Sequence, residues 1–200
     1  MPLTFIANPK SICNLGLRKI AANEVSSLEP PRTATERHCA DGYMVWRNSE
    51  LMKGRWAFAV RSGAVLTLSD PPTVGVREAR PYFFARPLDM LNPVREKYST
   101  WEYEQGGFFY SENTLTIDYV RKVTEADFPD SFIMVLAARV AIECCELATN
   151  STTKTQQALA FYQDAIKEAK RVNAFLQGPQ DVRLADYNDT WLTSRMGYEV

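Results

Sequence analysis

A single histidine, four cysteines and no surplus of either charge leave this sequence short of the groups that most chemistry needs. His38 is the only imidazole, and no second histidine or cysteine pair stands at ligand spacing, so local motifs assemble no zinc site. A serine or cysteine nucleophile would have only His38 to serve it, and no G-x-S-x-G turn surrounds any serine. Neither G-x-x-x-x-G-K-S/T nor G-x-G-x-x-G occurs, which removes the phosphate loop and the dinucleotide fingerprint. Cysteines 13, 39, 144 and 145 lack C-x-x-C spacing, and adjacent ones on one helix cannot bridge without strain. Free thiols in a reducing cytoplasm are expected, with Cys144 and Cys145 as small core residues. The 23 basic residues balance 24 acidic ones, so no broad basic surface is available to grip a nucleic-acid backbone. The longest apolar run, Phe132 to Ala138, is too short for a bilayer, and MPLTFIANPK carries no basic leader before an apolar stretch. A chain neither exported by a signal peptide nor spanning a membrane is expected.

What is present is a core. An apolar content of 46% over 200 residues suffices for one well-filled domain. The stretch from Phe128 to Leu176 reads as two antiparallel helices joined by the polar turn TNSTTKT. The first is apolar on nearly every side, with Arg139, Glu143 and Glu146 as one narrow polar stripe, and so belongs at the centre. Pro129 suits its first helical position and Asp127 its cap. The second is amphipathic: Leu159, Tyr162, Ile166, Ala169 and Leu176 line one side, and Gly178-Pro179 closes it.

Upstream, Asn8-Pro9 predicts a helix start, with Ile12, Cys13, Leu17 and Ile20 as its apolar face. Thr33 and Glu36 form a capping box for a second helix that ends near Lys53-Gly54 and carries Cys39, Tyr43 and Trp46 inward. From Trp56 onward, proline, β-branched and aromatic residues predict loops and short extended pieces. A small antiparallel meander is expected between Leu91 and Val123, with turns at Gly106-Gly107 and Glu112-Asn113 and with Leu115, Ile117 and Tyr119 on one face. The expected fold is therefore mainly α: a helical bundle of about four helices with a small inserted antiparallel β region and an extended C-terminal arm. Residues 1–178 form the helical domain, its β-rich insertion at about 57–125, and residues 179–200 the arm.

Candidate functional residues are few. Glu102, Glu104, Asp118 and Asp127 supply carboxylates for a small cell-wall hydrolase using a pair of them, although nothing in the sequence brings two together across a cleft. Phe108, Phe109 and Tyr110, with Trp101 and Tyr103, offer either cross-strand packing or a protein contact surface; the acids Glu102, Glu104 and Glu112 oppose a nucleic-acid backbone there. Tyr187, Trp191, Arg195 and Tyr198 are of the types that dominate binding hot spots, on an arm with no evident core of its own. No catalytic, cofactor-binding or metal-binding residue is expected.

The order of pieces adds a resemblance. SICNLGLRKIAANEVSSLEPP, ATERHCADGYMVWRNSELMKGRWAFA, PYFFARPLDMLNPVR, FPDSFIMVLAARVAIECCEL and FYQDAIKEAKRVNAF together resemble the head-to-tail adaptor proteins of short-tailed bacteriophages, the tail tubular protein A family. The resemblance implies a structural protein without enzymatic activity, at the head-tail junction of a virion assembled in the host cytoplasm. It implies a homo-oligomeric, dodecameric ring that binds the portal protein above and the tail nozzle protein below, with DNA passing through the lumen without specific binding. Tyr43, Trp46, Leu51 and Met52 lie at angles too wide for one buried stripe, which would leave apolar area for neighbouring copies.

Overall fold

A computed structural model describes residues 5–71, 79–94 and 100–177. Four helices are present among them: α1 (Pro9–Lys19), α2 (Ala34–Lys53), α3 (Asp130–Thr149) and α4 (Thr152–Gln177). Between α2 and α3 run seven strands, β1 (Val60–Val65), β2 (Leu68–Ser69), β3 (Tyr82–Ala85), β4 (Met90–Val94), β5 (Glu102–Glu104), β6 (Gly107–Tyr110) and β7 (Thr116–Arg121).

Each helix begins where the local chemistry satisfies its free N–H groups. The Asn8 side chain accepts from Ser11 N at 2.9 Å while Ser11 Oγ accepts from Asn8 N at 3.0 Å, and Pro9 follows at the first helical position. Thr33 and Glu36 form the reciprocal box at α2. The start of α3 differs from the expected one. Pro129 itself is the N-cap, without a side-chain bond, and Asp127 accepts instead from the Thr124 hydroxyl at 3.0 Å. Asn150 ends α3 in the left-handed conformation (φ 48°), so only Asn150 and Ser151 separate it from α4.

The helical layer is organised on α3, which packs against α1, α2 and α4. Phe132, Val135, Leu136, Ala137, Val140, Ala141, Cys144 and Cys145 are all buried, and the polar stripe of Arg139, Glu143 and Glu146 stays outside together with Leu147. At Gly16 α1 approaches α3 closely: a β-carbon there would stand 2.5 Å from the Ala137 carbonyl oxygen and 3.0 Å from Val140 Cβ. Against this layer, α4 turns Ala158, Tyr162, Ala165, Ile166 and Ala169 inward. Leu159 and Leu176, expected on that face, are exposed.

The mainly α reading is overturned by the strands. They form two antiparallel sheets, one ordered β1-β7-β4 and the other β2-β3-β6-β5. A single meander does not occur, because β7 pairs with β1 and β4 while β6 pairs with β3 and β5. The reason lies in two-residue alternation along β7. Val120 joins the helical core, whereas Ile117 and Tyr119 face a second core with Leu66, Phe84, Met90, Trp101, Phe108 and Leu115. The β region thus closes a core of its own and is half of an α+β architecture rather than an insertion in a bundle. Its tightest turn also shifts by one residue. Gln105 (φ 53°) and Gly106 (φ 77°) form the two-residue hairpin turn, and Gly107 opens β6, where a β-carbon would stand 2.4 Å from the Phe83 ring.

Leu136 is fully buried at the centre of α3. Leu136→Ala is expected to lower unfolding free energy by about 2–5 kcal/mol, measured by urea denaturation, as a large-to-small core change does.

Candidate functional site

The residues singled out from the sequence are scattered. Phe108 and Phe109 are buried within the chain, with Phe108 edge-on to Trp101 at 5.1 Å between ring centres and Phe109 tilted against Phe83 at 5.0 Å. They are spent on cross-strand packing and present no area to a partner; Tyr110, beside them, is half-buried. Tyr187, Trp191, Arg195 and Tyr198 lie outside the described residues.

The four carboxylates weighed for hydrolysis each hold a local position. Glu102 pairs with Arg80 at 2.7 Å across the start of the second sheet. Asp118 accepts from Gly63 N at 2.8 Å, which closes the bulge in β1, and Asp127 accepts from Thr124. Glu104 lies on the exposed side of β5. Two surface hollows, of about 630 and 460 Å³, are lined by other residues. Among the described residues no group of His, Cys, Asp and Glu is arranged to hold a metal ion, and no helix is long and apolar enough to cross a membrane. His38 places Nε2 3.1 Å from the Glu143 carbonyl oxygen. A carbonyl only accepts, so that nitrogen carries the proton, and the ring packs 5.3 Å from Trp46.

Two carboxylates that are fully buried matter more. Glu36 was legible as half of a capping box, yet its carboxylate does far more than cap. One oxygen accepts from Ser26 N (2.8 Å), Ser26 Oγ (2.7 Å) and Ser27 N (3.3 Å), the other from Arg32 N (2.6 Å) and Thr33 N (2.9 Å). The connection from α1 to α2 is wrapped around this one charge. The hydrogen bond from the Ser26 hydroxyl, then those from the backbone of Arg32, Thr33 and Ser26, hold its pKa far below the ordinary carboxylate range. Glu50 carried no sequence signal beyond Lys53 one turn on. Its side chain is wholly buried where α2, α3 and α4 meet, accepting from Lys53 Nζ at 2.6 Å and the Tyr162 hydroxyl at 2.9 Å, with Arg139 Nε 3.9 Å away. Both are satisfied structural charges, and neither opens onto either hollow.

The exposed surface of the described residues carries apolar patches. The inner side of α2 buries Cys39, Tyr43, Trp46 and Leu51, so three of the four residues expected to remain for neighbours are consumed by this chain's own core. The exposed ones are others. Met44 (50% exposed), Val45 (67%) and Met52 (44%) lie within about 100° of arc on the outer side of α2, together with Asp41 and Asn48. Met44 and Asp41 also form the edge of the larger hollow, whose other wall is Asn8, Pro9, Lys10, Leu28, Glu29 and Pro31. A second apolar patch, Phe175 and Leu176, stands exposed at the end of α4. Asn173 fixes that end beside the α2 terminus, accepting from Ala57 N at 2.7 Å and donating to the Arg55 carbonyl at 2.9 Å. The sequence pattern of α2 could have located the outer face, because Met44, Val45 and Met52 fall opposite the Cys39, Tyr43 and Trp46 side.

A scan against protein-family models finds no match, and neither does a search of the curated proteins.

The pH dependence of stability tests the part played by Glu36. Because folding lowers its pKa, its contribution is whole above the unfolded value of about 4.5 and is lost as pH falls below that value. Glu36→Gln is therefore expected to lower the urea midpoint at pH 7 and to shrink the difference between pH 7 and pH 3 that the unaltered chain shows.

Proposed function

We propose that this chain is a structural head-to-tail adaptor of a phage virion, one subunit of a ring between the portal and the tail nozzle through which DNA passes. The observation that carries the reading is the outer face of α2. Met44, Val45 and Met52 are exposed on a helix whose other side is already sunk in the core, so the helix is apolar on two sides. A helix of that kind asks for a second covering element, and a neighbouring copy supplies one.

A closed ring needs two different patches on each subunit, because a head-to-tail contact joins unlike surfaces. The outer face of α2 and the Phe175-Leu176 end of α4 are two such patches, on different elements. The C-terminal segment with Tyr187, Trp191, Arg195 and Tyr198 then serves as the link to the portal, its residue types being those that anchor interfaces. A net charge of −1 suits a duct, since DNA moving through it is not held by released counterions. The resemblance of the five sequence segments to the tail tubular protein A family points the same way. The mechanism is assembly rather than bond chemistry, and the virion is the place of action.

Electron microscopy and native mass spectrometry of the chain, alone and mixed with its portal, test the proposal. Rings and a portal complex are expected. A chain that stays monomeric and unbound at every salt concentration overturns it. The double variant Met44→Lys, Val45→Lys is expected to prevent ring formation while unfolding free energy stays within about 0.5 kcal/mol per substitution, as exposed changes do. Trp191→Ala is expected to weaken portal binding by about 2 kcal/mol or more, measured by calorimetry, with the melting temperature unchanged.

A further inference from the structure

Three of the four cysteines meet where α1, α2 and α3 cross. Cys13, Cys39 and Cys144 come from one helix each, all are free thiols, and all are wholly buried. Cys39 Sγ lies 3.6 Å from Cys144 Sγ, and the Cys13 thiol is its other sulfur neighbour. Cys145 stands apart from this group, its sulfur 3.6 Å from the Thr149 hydroxyl. Because Cys39 and Cys144 sit on different helices, a bridge between them escapes the strain of a link between adjacent residues. The sulfurs are already in van der Waals contact, and closing them to a bond of about 2.05 Å asks each to move by under an ångström.

We propose that Cys39 and Cys144 form an oxidation site, closing to a disulfide that joins α2 to α3 when the chain meets a peroxide. Cys39 is the sulfur oxidised first, since its thiol lies beside those of both the others. Its contacts with Cys13 and then Cys144 hold its pKa down, whereas the same contacts and burial push the two outer thiols up. The Cys39 thiolate attacks one peroxide oxygen, so that an S–O bond forms and the O–O bond breaks, and the hydroxide released takes a proton to leave as water. The Cys144 sulfur then attacks the Cys39 sulfenic sulfur. The S–S bond forms, the S–O bond breaks, and the second water leaves with the Cys144 proton. Two thiols lose two electrons and two protons, and one peroxide becomes two waters. With no sulfur exposed, the rate follows the local opening of α2 from α3. The bond spans a sequence separation of 105 residues, so it restricts the unfolded chain over more than half its length.

The test uses the full-length chain incubated with hydrogen peroxide until the amides of α2 and α3 have exchanged with deuterium in a parallel sample, so that the site has been opened. Intact mass is expected to fall by two hydrogens, with a peptide pair joining Cys39 and Cys144 and a raised melting temperature. Cys13→Ala should retain the bond, and Cys39→Ala and Cys144→Ala should each lose it. Oxygen adducts alone, a Cys13–Cys39 or Cys144–Cys145 link, or an unchanged mass would overturn the proposal. If an alanine variant fails to fold, the peptide map of the unaltered chain decides by itself.

Discussion

The helical half of this protein depends on a helix that has almost no side left for water. Once α3 carries Phe132, Ile133, Val135, Leu136, Val140 and Ala141 around most of its circumference, three other helices must be brought against it. Each arrives by a different device. The first helix, α1, comes close because Gly16 removes the side chain that would strike Ala137. Aromatic and sulfur-bearing side chains bring in α2, with Tyr43, Trp46 and Cys39 buried. The last, α4, is tethered by a two-residue turn and presents small residues, Ala158 and Ala169, where its contact is deepest.

Polar groups taken into such a core must be paired, and they set the connections. Asn14 holds the backbone of Val25 in both directions, accepting from its N–H at 2.8 Å and donating to its carbonyl at 3.1 Å. Glu36 gathers Ser26, Ser27, Arg32 and Thr33, and Glu50 ties three helices at one point. Arg47 and Glu125, both nearly buried, pair at 2.9 Å and join α2 to the turn that leads into α3. Beyond that turn the sheets take over, with β7 as the wall between two cores: Val120 on one side, Ile117 and Tyr119 on the other. Tyr119 extends its hydroxyl to Asp89 at 2.9 Å, which satisfies the polar end of a ring otherwise enclosed.

With the interior closed this completely, the features that remain for binding are on the outside. The outer side of α2 and the end of α4 are apolar and uncovered, while the aromatic residues of β6 have been drawn inward. The assembly role proposed above rests on that distribution. It also separates two uses of α2, whose inner side carries the thiol that meets Cys13 and Cys144 and whose outer side faces away from the core.

The helices were legible because their signals are local. Asn8 with Pro9, Thr33 with Glu36, and the unbroken apolar run of α3 fix starts and burial within a few residues of chain. The two-sheet arrangement was not legible, since β4 with β7 and β3 with β6 pair across more than twenty residues and any strand with alternating faces satisfies several partners equally well. Likewise the sequence alone could name Phe108 and Phe109 as aromatic but not decide which surface they meet. By itself the sequence determined where α1 and α2 begin, which helix is central and that the charges balance. Only the tertiary structure decided that the strands enclose a second core, that Glu50 and the three thiols converge, and that Met44, Val45 and Met52 are left outside. Periodicity fixes the direction a side chain takes from its own element, whereas what lies in that direction depends on pairings between distant parts of the chain.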